Sequence, residues 1–329
     1  MKTVKCDLCG SDESIVVAKG MRFGISTTNV ACKVCGMVYQ NPRLTDAQLA
    51  DFYKSKYRRL YSGSNEAPPV ELIEEQKARG NEILTFCRPW LDNDALILDV
   101  GCGPGGTLLP FRDSGFRACG IEPGPYALWG AQNLGLTILQ GTLETVQLDG
   151  MAPGLIILSF MLEHVPSPRS VLSQVYRVLP KKGFLFVEVP NLRRINGPIE
   201  DFFHVAHLTF FTPKTIALML SVTGYSIAAL DSSDVYSIRT VSVPKPVLPT
   251  DESANWAREG DKAEEIHAFL RKHERLIGIQ LRVMRILRPV RRLGSRLLTE
   301  TIGENATKRI YRVCREVWMK VRYMTVMRE

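Results

Sequence analysis

Apolar and polar positions divide the chain into four stretches. From Val70 to about Val243, short apolar runs alternate with segments of helical spacing. "ALILDV", "FRACGIE", "LTIL", "LIILSF", "GFLFVEV", "YSIAAL" and "YSIRTVSV" predict seven strands, and "PRSVLSQVYRVL" and "PKTIALMLSVTG" predict helices between them. Such alternation implies an α/β fold with a doubly wound, mostly parallel sheet, whose ligands bind at the carboxyl ends of the strands. Ahead of it, residues 1–45 carry short alternating stretches such as "SIVVAKG". Residues 46–92 hold "TDAQLADFYKSKY", a helix with Thr45 and Asp46 as capping residues and Leu49, Phe52 and Tyr53 as its apolar positions. "YSGSNEAPP" follows as a linker and Val70 opens another helix. The sheet region spans 93–245. "PKPVLPTDE" then breaks the pattern, and 246–329 reads as a helical tail in which Phe269, Leu276, Val283 and Val290 recur every seven residues.

Composition narrows the class. With 329 residues and 45% apolar content, the chain can form one large globular domain with accessory segments. It contains no apolar run long enough to span a membrane, and "MKTVKCDLCG" lacks the apolar centre of a secretion signal, so a cytoplasmic location is expected. The net charge of +8 is unevenly placed. Residues 271–329 hold 16 Lys and Arg against 5 Asp and Glu, which leaves 26 against 29 for residues 1–270. A nearly neutral body argues against an RNA-gripping main face. In "KRIYRVCREVWMKVRYMTVM", Ile310, Val313, Cys314, Val317, Trp318, Val321 and Met324 form one helical stripe with basic residues largely opposite. That stripe suits packing on the body or on a protein partner, or a peripheral position on an anionic membrane.

Four of the eight cysteines form two CxxC pairs, Cys6 with Cys9 and Cys32 with Cys35, separated by 22 residues. Each pair is followed by glycine. Two such knuckles supply four thiolates to a structural Zn²⁺ of the zinc-ribbon kind, and a closed four-sulfur site leaves no position for a substrate. Cys87, Cys102, Cys119 and Cys314 are scattered and read as small buried residues.

"ILDVGCGPGG" places glycines at 101, 103, 105 and 106 between a strand and a helix, and Glu122 ends the next strand where a carboxylate can bind ribose hydroxyls. The loop alone fits either a nicotinamide dinucleotide or S-adenosylmethionine (SAM). Asp99, two residues before Gly101, would repel a pyrophosphate but suits the cationic SAM.

The segments "LDVGCGPGG", "GIEP", "LSFMLEHVPSPRSVLSQVYRVLPKKGFLFVEVPN" and "HLTFFTPKTIALMLSVTGY" resemble the class I SAM-dependent methyltransferases over roughly residues 94–230. The cysteine pairs followed by "GMVYQNPRLTDAQLADFY" resemble a bacterial subgroup with an N-terminal zinc-binding segment, often associated with sugar or surface-polysaccharide biosynthesis. The resemblance implies a seven-stranded Rossmann-like sheet. It implies that Asp99, Gly101, Gly103 and Gly105 line the methionine side of SAM, Glu122 its ribose, and Leu143 and Glu144 the adenine. Phe160, Met161 and His164 would lie by the methyl group.

Methyl transfer is an in-line displacement, so alignment and a nearby base are what the protein supplies. His207, His204 and His164 are the candidates, each in a loop expected to follow a strand. His164 reads equally as a brace for its loop with Glu163, and His204 as part of an aromatic wall. For a metal held by His204 and His207, the sequence offers only Asp201 as a further ligand, so substrate chemistry is the expectation for that pair. In zinc-containing sugar C-methyltransferases the equivalent segment ends in a Tyr-His-Glu-His run. Here His204, Val205, Ala206 and His207 precede "LTFF", so His207 matches but the tyrosine and the glutamate do not, and O-methylation of a nucleotide-linked or lipid-linked sugar or glycan is the leading expectation. An RNA methyltransferase, a sugar C-methyltransferase and a non-catalytic SAM-binding scaffold are the alternatives.

Overall fold

The structure, a computed structural model, describes residues 1–53, 67–246 and 259–279 apart from 23, 149, 196, 234 and 235. Two compact units, Met1–Arg271 and Lys272–Glu329, divide the chain. The sites below all lie in the first. Most of the "YSGSNEAPP" linker, Val283, Val290 and the stripe from Ile310 to Met324 with Cys314 lie outside the described residues.

The N-terminal segment forms an antiparallel sheet of β1 (Ser14–Arg22), β2 (Ile25–Cys32) and β3 (Val38–Gln40). Next comes α1 (Asp46–Phe52), opened by a capping box in which the Thr45 hydroxyl accepts from the Gln48 amide and Gln48 reaches back to Thr45. Then α2 (Val70–Cys87) leads into the large domain.

That domain alternates β4 (Leu96–Val100), α3 (Leu109–Asp113), β5 (Arg117–Glu122), α4 (Tyr126–Leu134), β6 (Thr137–Gln140), β7 (Pro153–Ser159), α5 (Pro168–Val178) and β8 (Phe184–Pro190). It continues through α6 (Ile199–Phe202), β9 (Thr209–Phe210), α7 (Pro213–Val222), β10 (Tyr225–Asp231) and β11 (Ser237–Pro244). A further helix, α8, occupies residues 263–279. All seven predicted strands join one sheet, in the order β10-β11-β8-β7-β4-β5-β6. The five strands from β8 to β6 are parallel, and β11 runs antiparallel to both neighbours.

Every residue of β4 is buried, because helices cover both sheet faces. Leu96, Leu98 and Val100 pack toward residues of α5 and α7, while Ile97 packs with Ile83 and Cys87 of α2 and Phe111 of α3. Cys87, Cys102 and Cys119 are buried, as their scatter suggested. The strand order reverses between β4 and β7, so a crevice opens beyond the carboxyl ends of these strands.

Two connections escape the hydrophobic pattern. β9, only two residues long, pairs antiparallel with β3 and completes a four-stranded sheet β1-β2-β3-β9. The start of the tail is also core: Ala263, Ile266 and Leu270 pack with Val17, Ala31 and Phe203, and the Asp261 carboxylate accepts from Arg193 Nη2 at 2.8 Å and from the Thr212 hydroxyl.

Candidate functional site

At the carboxyl end of β4 the chain turns through Gly101, Gly103 and Gly105, with φ of 80°, 57° and 90°. L-residues avoid this left-handed region, which explains glycine at these positions. Glu122, buried at the end of β5, ties the turn to the next strand: Oε2 accepts from the Gly103 amide at 3.1 Å and Oε1 from the Gly124 amide at 2.7 Å. Asp99 is buried beneath the turn, and burial pushes its carboxyl up to about 7, with Arg79 opposing and Glu122 reinforcing the shift.

Helix α2 closes one side. Gly80 is needed there because a Cβ would overlap the Thr107 carbonyl. Gln76 Oε1 accepts from the Gly106 amide at 3.0 Å, and its Nε2 donates to the Cys102 carbonyl at 3.4 Å. Leu143 is half-buried against the core beyond β6, whereas Glu144 is exposed and accepts from Gln174 Nε2 at 2.7 Å.

Beyond β7, Phe160 takes a φ of 49°, a strained setting for an aromatic residue, with its amide donating to the Glu188 carbonyl at 2.8 Å. The Arg79 guanidinium stacks 4.5 Å from the Phe160 ring centre. Met161 reaches back over the glycine turn: a Cβ on Gly101 would lie 2.9 Å from its Cγ. Glu188 is a buried hub that accepts from Ser159 Oγ at 2.7 Å, Ser237 Oγ at 3.1 Å and Arg239 Nε at 2.8 Å.

A short turn, Leu162–His164, follows Met161 and meets the loop carrying His204 and His207. The His164 and His207 rings are 4.9 Å apart and those of His204 and His207 3.9 Å apart, with Phe202 and Phe210 edge-on to His207. His164 Nδ1 lies 2.9 Å from the Ala206 carbonyl, which can only accept, so this nitrogen carries the proton. The Tyr53 hydroxyl lies 3.2 Å from the same carbonyl. Burial lowers His164 to about 4 and His204 to about 3, and holds His207 well below the ordinary imidazole value. Burial raises Glu163 to about 8. All three predicted histidines therefore share one neutral cluster.

The N-terminal sheet shapes that cluster. Gln40 Nε2, on β3, donates to the His204 carbonyl at 2.8 Å and to the His207 carbonyl at 2.6 Å, and the Thr27 hydroxyl donates to the Phe203 carbonyl at 2.9 Å. Cys6, Cys9, Cys32 and Cys35 stand together with their sulfurs within 4.8 Å of one another, Cys6 and Cys35 at 3.5 Å and Cys9 and Cys32 at 3.5 Å. Zn–S bonds of about 2.3 Å in a tetrahedron fit this spacing. The amides of Gly10 and Gly36 donate to the carbonyls of Cys6 and Cys32 at 2.8 and 2.9 Å, closing both knuckles. Asp7 on the first knuckle accepts from Ser167 Oγ at 2.6 Å and the Arg169 amide at 2.9 Å, fastening it to the start of α5.

Sequence reading did not single out Arg79, Gln76 or Glu188, and gave Tyr53 only a packing role. Glu188, a lone carboxylate inside the apolar run "FLFVEV", carried a signal; Arg79 and Gln76 sit on an exposed-looking helix and gave none. A cavity of about 520 Å³ lined by Leu96, Arg117 and Thr137 opens at the amino ends of the strands, the wrong edge for a ligand of this sheet.

A protein-family model described as a methyltransferase domain matches residues 72–230, from α2 through β10. No curated protein matches the sequence. Among solved structures, the Burkholderia thailandensis 1,6-didemethyltoxoflavin N1-methyltransferase, with bound 1,6-didemethyltoxoflavin and S-adenosylhomocysteine, is similar with a TM-score of 0.50 and 16% identity over 69% of this chain and 100% of that one. A Pyrococcus horikoshii protein gives 0.47 and 18% over 58% and 99%, and the SAM-bound magnesium protoporphyrin IX methyltransferase of Synechocystis gives 0.44 and 17% over 62% and 100%. The Burkholderia likeness is one of fold, and it is the fold described above. Residues 72–230 match a methyltransferase domain, and with the sheet described above the match supports a methyltransferase enzyme.

Proposed function

We propose that the enzyme methylates a hydroxyl of a sugar or glycan carried on a nucleotide or a lipid. SAM supplies an electrophilic methyl group on a sulfonium. Asp99 and the turn from Gly101 to Gly105 would hold the methionine end, Glu122 the ribose and Leu143 the adenine, with Glu144 at the rim. Phe160 and Met161 would flank the methyl group, and the Glu163, His164 and His207 cluster would meet the acceptor, with His204, Phe202 and Phe210 as its wall.

One observation carries the choice of a hydroxyl acceptor. The depressed pKa values keep the histidines uncharged near neutral pH, so the cluster offers hydrogen-bond acceptors to O–H groups and no imidazolium to a phosphate backbone. The near-neutral body supports the same reading over RNA. The four cysteines are proposed to hold a structural Zn²⁺ that keeps β3, and through Gln40 the acceptor loop, in place.

Incubating the purified enzyme with radiolabelled SAM and a lysate of its source cells tests this. Label is expected in nucleotide-linked or lipid-linked glycans as an alkali-stable ether. Label found only in RNA, with transfer falling steeply with salt, would replace the proposal with the RNA reading.

A further inference from the structure

Glu163 is hard to explain as a structural residue. Its exposure is 1%, yet neither carboxylate oxygen has a hydrogen-bond partner. Buried polar groups in native proteins are paired, and the exceptions mark ions, ordered water or chemistry. A second unpaired polar atom, His207 Nδ1, is buried nearby. The third member is prepared from behind. Because His164 Nδ1 donates to the Ala206 carbonyl, its Nε2 carries a lone pair, and that nitrogen is 3.8 Å from Glu163 Oε1. One ligand atom from each of Glu163, His164 and His207 falls within 4.8 Å of the others. Bonds of about 2.0–2.2 Å to a shared ion would place neighbouring ligands about 3–3.5 Å apart, so small side-chain adjustments close the set.

We infer that Glu163, His164 and His207 form a second metal centre, for a divalent ion of the zinc, cobalt, iron or manganese type, with coordination positions left open. Two imidazoles and a carboxylate suit these ions, and three protein ligands are the number that catalytic sites use, in contrast to the closed four-sulfur set. The supporting contacts are those a ligand histidine needs: a carbonyl fixes the His164 tautomer, and Gln40 holds the His207 backbone. The ion's role, though not its binding, rests on the proposed methyl transfer to a hydroxyl. Met161 connects the glycine turn to this cluster two residues before Glu163, so an acceptor reaching the centre is brought toward the methyl donor. An ion there lowers the pKa of the acceptor hydroxyl. The O–H proton leaves to solvent water, the oxygen forms the new C–O bond, and the C–S bond breaks with its electron pair staying on sulfur.

The test is a titration of zinc-replete full-length protein with Co²⁺, followed by visible absorption and calorimetry, with SAM affinity measured separately. One further equivalent is expected, without a thiolate-to-cobalt charge-transfer band. Glu163→Gln, which keeps the shape, and His207→Gln should weaken Co²⁺ binding by at least about tenfold while SAM still binds, which also shows that the variants are folded. No uptake beyond the cysteine site, or uptake that Glu163→Gln leaves equally tight, would overturn the inference. Loss of SAM binding in the unaltered protein would instead count against the proposed function.

Discussion

Asp99 brings a pH dependence into the glycine-turn site. Its carboxyl is lifted to about 7 by burial, with Arg79 and Glu122 as the charged groups that face it. If its carboxylate holds the cationic donor, binding below that pH must displace a proton. SAM affinity should therefore be nearly constant above about pH 7 and fall by up to about tenfold per unit below it. Asp99→Asn should bind more weakly and show little pH dependence. Calorimetry from pH 8 to pH 5 decides the matter, and an unchanged wild-type affinity would exclude this role. At this scale the sequence was informative about single groups and silent about their relations. The glycines, Asp99 and Glu122 were readable because they sit in one local turn and one strand end. The joining of Glu163 and His164 to His207 was not readable, because 43 positions separate His164 from His207 and only the fold brings them together.

Among the elements, the coupling between β3 and the loop at 204–207 matters most. Gln40 donates to two carbonyls of that loop, and β9 ties the following residues to the same strand. Removing the amide with Gln40→Ala leaves both carbonyls without this partner and should cost about 1–3 kcal/mol in stability. Hydrogen exchange of the 204–207 amides should quicken while SAM affinity stays unchanged. Exchange as slow as in the parent would show that the N-terminal sheet does not hold the acceptor loop. All seven strands of the large sheet were legible from apolar runs bounded by turns. β9 was not, because two residues carry no periodicity and their strand character comes from the partner.

Over the whole molecule, charge and fold are separated along the chain. Residues 1–270 are nearly neutral and contain the segment that matches a methyltransferase domain, whereas the positive excess begins at Arg271. Because Asp261 and residues 263–270 pack into the body, a cut at residue 250 would damage the core, and truncation after residue 279 is the cleaner probe of the tail. If the tail meets an anionic lipid surface, the full chain should sediment with anionic vesicles at low salt and the shortened chain should not. Equal sedimentation would rule that partner out. Among the described residues, no helix is long and apolar enough to cross a membrane.

Calorimetric titration of the purified chain with SAM and, separately, with NADH is the most direct measurement. SAM should bind once per chain, Glu122→Ala should weaken it by about 1–3 kcal/mol through lost hydrogen bonds at the turn, and NADH should give no binding heat. Binding of NADH with none of SAM would contradict the assignment of this site at its root.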